Sequence, residues 1–172
     1  MKKYFSLLFI TFVFSTVLLS QTSETRGKGS TPVLKEVSGL EVVKSVYPDA
    51  AAVEKSNGVW FNIVDANKKV LGYCLSSKPY SDGIIGYNNT TPVIVVTDKN
   101  KIVKKVAILS NWETAAYLKK LEKQNYFNSW NGLKINEALK KKATVDSYSG
   151  ATITAGALSK NIEIILKKAA QN

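Results

Sequence analysis

The densest chemistry in the chain is a stretch of nine residues near its C-terminus, Asp146-Ser147-Tyr148-Ser149-Gly150-Ala151-Thr152-Ile153-Thr154. Small residues let a ligand approach the backbone, and the hydroxyls can hydrogen-bond or be esterified. A helical pattern follows at once: Leu158, Ile162, Ile165, Leu166 and Ala169 recur at three- and four-residue intervals, with Lys160, Glu163, Lys167 and Lys168 on the wet face. The free N–H groups that open a helix favour a phosphate by about 0.3–1 kcal/mol per charge. The stretch therefore reads either as a phosphate-binding turn or as a Ser/Thr N-cap, and its chemistry alone does not separate the two.

What the chain lacks is equally informative. None of its 172 residues is histidine, which removes Ser-His-Asp, Cys-His and His-ligated metal mechanisms. Cys74 is the only cysteine, so there is no intrachain disulfide or cysteine-held metal cluster, and no metal site is expected. Its neighbours Val70 to Leu75 read as a strand, and Cys74 as a small buried hydrophobe. A hydrolase using Ser147 or Ser149 finds no base, because histidine is absent and no Ser-x-x-Lys spacing occurs. The net charge of +11 comes from scattered lysines, with small clusters at Lys99 to Lys105 and Lys140 to Lys142. This describes a lysine-rich soluble surface rather than a nucleic-acid footprint.

Lys2 and Lys3 precede an apolar run from Tyr4 to Leu19, and polar sequence begins at Gln21, the layout of an export signal. As a helix this run spans about 24 Å, short of the roughly 30 Å hydrocarbon core. Residues 1–20 are therefore expected to act as a signal peptide or N-terminal membrane anchor, and both outcomes make the rest extracytoplasmic. Residues 21–32, rich in Ser, Thr, Gly and charge, read as a flexible spacer, and residues 33–172 as a single domain.

Within that domain, Leu40 to Tyr47 suits a short helix stopped by Pro48, with Ala50 to Lys55 as its continuation. Val59 to Val64 and Val70 to Ser77 are β-rich runs about Asp65-Ala66-Asn67-Lys68-Lys69, and Pro92 to Thr97 and Ile102 to Leu109 repeat the pattern about Asp98-Lys99-Asn100-Lys101. Lys78 to Thr91 is a long loop between the hairpins, of a length associated with function. Helices are expected over Glu113 to Lys123, Asn136 to Lys142 and, after Thr154, to the end. Hairpins interspersed with helices imply an α+β fold: an antiparallel sheet with packed helices and a C-terminal amphipathic helix following the turn.

Asp146-x-x-Ser149-Gly150-Ala151-Thr152 resembles the signature of the FMN-binding domain found in subunits of the sodium-translocating NADH:quinone oxidoreductase and of the related ferredoxin:NAD oxidoreductase membrane complex. Trp112-Glu113-Thr114, and Leu71-Gly72-Tyr73 followed by Gly83, Gly86 and Pro92, match further segments in order, so the likeness covers about Leu40 to Lys168. Where the family usually has Pro-Gly after Glu-Thr, this chain has Ala115-Ala116. The resemblance implies covalent FMN on Thr152 through a phosphoester, made by an exported FMN transferase that reads Asp146. It also implies that Ser149, Gly150, Ala151, Ile153 and Thr154 surround the phosphate and that Glu113 and Thr114 line the isoalloxazine. Tyr80, Tyr87, Trp112, Tyr117, Phe127 and Trp130 are candidate ring partners, each with a core role as the alternative.

The expected function is an exported electron-transfer flavoprotein that relays electrons between membrane-associated redox partners, without a catalytic side chain of its own. The alternative is a non-enzymatic module that binds FMN or another phosphate ligand reversibly, as a sensor or accessory domain.

Overall fold

A computed structural model of the protein describes residues 31–141, 148 and 150–171. Helix α1 (Gly39–Lys44) leads into five strands, β1 (Ala52–Lys55), β2 (Trp60–Val64), β3 (Val70–Ser76), β4 (Val93–Thr97) and β5 (Val103–Ile108). Helices α2 (Ala115–Lys123), α3 (Ile135–Lys140) and α4 (Thr152–Ala170) follow, with single 3-10 turns at Lys78–Tyr80 and Phe127–Trp130. The strands form one antiparallel sheet in the order β1-β2-β3-β4-β5, so every strand neighbours the one before it. The α+β architecture expected from the hairpins is the one observed.

Both faces of the sheet are covered, and β4 shows why its sequence is apolar throughout. Val93 and Val95 point into a core shared with α2, α3 and α4, while Ile94 and Val96 point into a second core under α1. A strand buried on both sides reads as an unbroken hydrophobic run rather than an alternation. Cys74 lies in the α1-side core at 2% exposure, and burial pushes its thiol up to about 12. It is the inert hydrophobe expected.

Ala50 to Lys55 is not helical. Ala51 N–H bonds the Val64 carbonyl at 2.8 Å, and Ala52 to Lys55 pairs with Val64 to Phe61 as the edge strand β1. Pro48 ends the helix, and the open flank of β2 then captures the chain, so pairing overrides a weak local pattern.

Helix α4 begins at Thr152, three residues before the start expected after Thr154, because its first turn carries small and hydroxyl residues that leave no apolar period to read. Among the described residues no helix is long and apolar enough to cross a membrane.

Strand alternation sends the hairpin turns at Asp65–Lys69 and Asp98–Ile102 to one end of the sheet. The 78–91 loop and the segment after β5 lie at the other. At that second end Lys35 and Asn111 exchange backbone hydrogen bonds at 2.8 and 3.0 Å. The Ser110 hydroxyl stitches Val37 through both its N–H and its carbonyl.

Candidate functional site

Three segments meet at this end: the 78–91 loop, residues 109–114 after β5, and the first turn of α4. Glu113 joins them. Its side chain is 5% exposed, with Oε1 accepting from the Asn88 N–H at 3.0 Å and Oε2 from the Thr154 hydroxyl. Its own N–H donates to Asn111 Oδ1 at 3.0 Å. Among the described residues no ion pair involves Glu113, so its buried carboxylate is held by neutral donors. Asn88 completes the tie, donating from Nδ2 to the Trp112 carbonyl at 2.7 Å and to Thr114 Oγ1 at 3.4 Å.

Gly86 is required by this arrangement. A Cβ there would sit 2.5 Å from Glu113 Oε1 and 2.7 Å from Thr91 Cγ2.

A second buried frame fixes the loop to the side of α4. Asn161 is fully buried; its Oδ1 accepts from Ser81 at 2.7 Å and its Nδ2 donates to the Thr91 carbonyl at 3.0 Å. Ser77 Oγ contacts Ser81 Oγ and receives the Val93 N–H, closing the loop's base.

On this frame the first turn of α4 exposes only Thr152 and Ile153. N-cap Ala151 is 3% exposed and supplies no side-chain cap, so among the described residues no N-cap side chain occupies the opening N–H groups. Gly150 adopts φ +78°, and a Cβ there would lie 3.1 Å from Lys120 Nζ. Thr152 is exposed at the first helical position, its hydroxyl 3.3 Å from the Tyr148 carbonyl. Ile153 is 59% exposed, whereas Thr154 is turned inward to Glu113.

Thr152 and Ile153 separate two hollows. One, about 230 Å³, is backed by Tyr87 and Tyr117; the other, about 440 Å³, runs between Gly83–Ile85 and Gly156, Ala157 and Lys160. Tyr87 and Tyr117 meet edge to face with centroids 5.0 Å apart. Their shared hydrogen bond, with lesser contributions from charge and burial, raises the Tyr117 phenol above its ordinary range.

The motif residues Gly150 to Thr154 are thus together, and Glu113 reaches them through Thr154. Thr114 is the N-cap of α2 and Glu113 precedes the helix, which starts at Ala115 rather than at Glu113. Ser149 and Asp146 lie outside the described residues. Of the six aromatics, Tyr87 and Tyr117 line a hollow, and Phe127 and Trp130 pack in the core. Tyr80 lies under the Lys168 ammonium, 4.3 Å from the ring centre, and Trp112 is 37% exposed. Sequence reading missed Asn88 and Asn161. The only sign of Asn161 was a polar residue on the apolar face of α4.

The first turn of α4 in this α+β domain thus presents Thr152 at the surface, between two hollows and without a side-chain cap from Ala151. Residues 86–167 match the model of the FMN-binding domain family. The match includes the 78–91 loop from Gly86 onward, the post-β5 segment and most of α4, hence the ties among Asn88, Thr91, Glu113, Thr154 and Asn161. No curated protein matches the chain.

Proposed function

We propose that the domain carries FMN covalently on Thr152 and relays electrons, outside the cytoplasm, between membrane-associated redox partners. The observation that carries this reading is exposed Thr152 at the start of α4, where N-cap Ala151 supplies no side-chain cap, within a Ser-Gly-Ala-Thr motif and inside the matched family span. Gly150 and Lys120 suit the phosphate side, and Glu113, Asn88 and Asn161 keep the surrounding walls in place. FMN supplies the redox chemistry; the chain supplies position and electrostatics. A phosphoester holds the flavin at a saturating local concentration where no free pool would replace it. The attaching partner in this reading is an exported FMN transferase, and residues 1–20 direct the chain to the compartment where it acts.

The experiment is intact mass of the protein produced with the transferase. The mass is expected to exceed the polypeptide by FMN less one water, and Thr152→Ala to abolish the increment while circular dichroism is unchanged. Covalent flavin in that variant overturns the attachment point. Flavin that washes out on denaturation of the parent favours the reversible module instead.

A further inference from the structure

β5 is the last strand in the sheet order, and its outer side is closed at two points. At one, the Val103 N–H donates to the Leu133 carbonyl at 2.9 Å and the Val103 carbonyl receives the Gly132 N–H at 2.8 Å. At the other, Lys35 bridges Asn111. Between them lie residues 104–108, about 17 Å of strand, which make no backbone hydrogen bond outside the sheet among the described residues. The Leu109 N–H donates to the Pro92 carbonyl, so Ala107 and Lys105, in phase with it, face β4. Val106 and Ile108 therefore turn their N–H and carbonyl groups to the open side.

This edge is the floor of a slot of about 420 Å³. Glu41, Val42 and Ser45 of α1 supply one wall, and Glu122, Phe127 and Asn128 supply the other. The side chains of Val106 and Ile108 belong to the core under α2, α3 and α4, so what these residues offer the slot is backbone. The Lys105 ammonium is drawn aside to Ser45 Oγ at 2.9 Å. The charged residues of the slot are Lys35, Lys105, Glu41 and Glu122, which balance on a chain of net charge +11 and suit an uncharged occupant. Outward peptide groups between neutral walls match another peptide backbone. A second copy fits poorly: its own β5 is recessed between the same walls, and edge pairing would bring Lys104 and Lys105 of both copies together.

We propose that the open edge of β5 takes an extended, uncharged segment of a partner protein as an added strand. Val106 and Ile108 bond its backbone, and its alternate side chains pack toward Val42 on one wall and Phe127 on the other. None of the residues that line the slot lines either hollow beside Thr152. The partner thus holds the domain by one flank and leaves Thr152 accessible, and the docking does not depend on flavin attachment.

The test is amide hydrogen exchange, read by NMR on the full chain, with acetyl-Thr-Val-Thr-Val-Thr-amide as the probe. In the free chain the Val106 and Ile108 amides are expected to exchange faster than those of Lys105 and Ala107. Peptide at about ten times its dissociation constant should slow Val106 and Ile108 about tenfold and leave Thr152 unchanged. The same peptide N-methylated at every residue is expected to have no effect. The unmodified peptide should likewise fail on Asn128→Trp, where a large ring at an exposed position fills the slot and circular dichroism stays parental. Val106 and Ile108 as protected as Ala107 in the free chain overturn the proposal, because the edge is then filled by this chain or, where protection rises with protein concentration, by a second copy. Slowing that survives N-methylation, or no slowing at millimolar peptide, overturns it as well. Chain without covalent flavin is expected to give the same result, so failure of the attachment reading and failure of this proposal are told apart.

Discussion

The two ends of the sheet are built on opposite principles. At the hairpin end, each turn is complete within five residues. Asp65 Oδ1 accepts from the N–H groups of Asn67 and Lys69, both at 2.9 Å, and Asp98 Oδ1 from those of Asn100 and Ile102 at 2.9 and 3.0 Å. Lys68 and Lys101 take the left-handed position in their turns, with φ of 65° and 59°. At the site end the ties join residues far apart in the chain: Ser81 to Asn161, Thr91 to Asn161, Glu113 to Thr154 and Asn88 to Glu113. A self-contained turn fails locally, whereas a long-range frame fails as a unit.

The largest effect should come from Asn161→Ala. Removing this side chain takes from the buried Thr91 carbonyl its Nδ2 donor, at about 1–3 kcal/mol for the group left unpaired, while the Ser81 hydroxyl keeps only the Ser77 carbonyl at 2.9 Å and Ser77 Oγ. Chemical denaturation should report that loss, and visible absorbance a drop in flavin loading. Normal loading would show that the loop holds its place without Asn161 and would break the contrast between the ends.

Next comes Gly86→Ala. The added methyl must displace the Glu113 carboxylate or Thr91, an overpacking cost of about 1–3 kcal/mol. Hydrogen exchange is expected to rise in the 78–91 loop and at the start of α4 together, since Glu113 connects them. An increase confined to Gly86 and its immediate neighbours would contradict the shared frame.

Acid and alkali should sharpen the comparison. The buried Tyr126 hydroxyl lies 3.0 Å from the Ala155 carbonyl and 2.7 Å from Ser159 Oγ, fastening α4 just below the site, and burial raises its pKa. With the folded value above the unfolded one, this contribution is complete below about pH 10 and is lost as pH rises through the folded value. Tyr126→Phe is expected to cost about 1 kcal/mol at neutral pH and to flatten the alkaline decline in melting temperature. An unchanged alkaline limb would count against Tyr126.

Asp98 works in the other direction. Partial burial pushes its carboxyl up, but the N–H donors of Ile102 and Asn100 and the nearby Lys104 outweigh this and hold it below its usual value. Its contribution is therefore present above the unfolded pKa and fades as pH falls through the folded one. Asp98→Ala should be the smallest change, about 0.5–1.5 kcal/mol, shrinking in acid and leaving flavin loading untouched. Lost loading in this variant would mean that the two ends are coupled.

The same contrast explains what could be read from the sequence. Asp-x-Asn-Lys marks both hairpins because every bond that makes the turn lies within the motif and the residue that follows it. Ser-Gly-Ala-Thr was visible because its residue types state their chemistry, and α4 because its apolar period is long. Asn88 and Asn161 were not visible, since an asparagine in a loop or on a helix face announces no partner 25 or 70 residues away. Strand β1 was misread for a related reason: four residues on an edge are defined by the neighbour they pair with rather than by their own pattern.

The Lys35–Asn111 bridge carries a mechanical consequence. Any pull on the chain ahead of Lys35 arrives first at the two backbone hydrogen bonds with Asn111, the residue whose side chain receives the Glu113 N–H. Tension from the N-terminal side is thus delivered to the segment that carries Glu113 before it reaches α1 or the sheet, and the domain is harnessed at the end where the 78–91 loop, Glu113 and α4 meet.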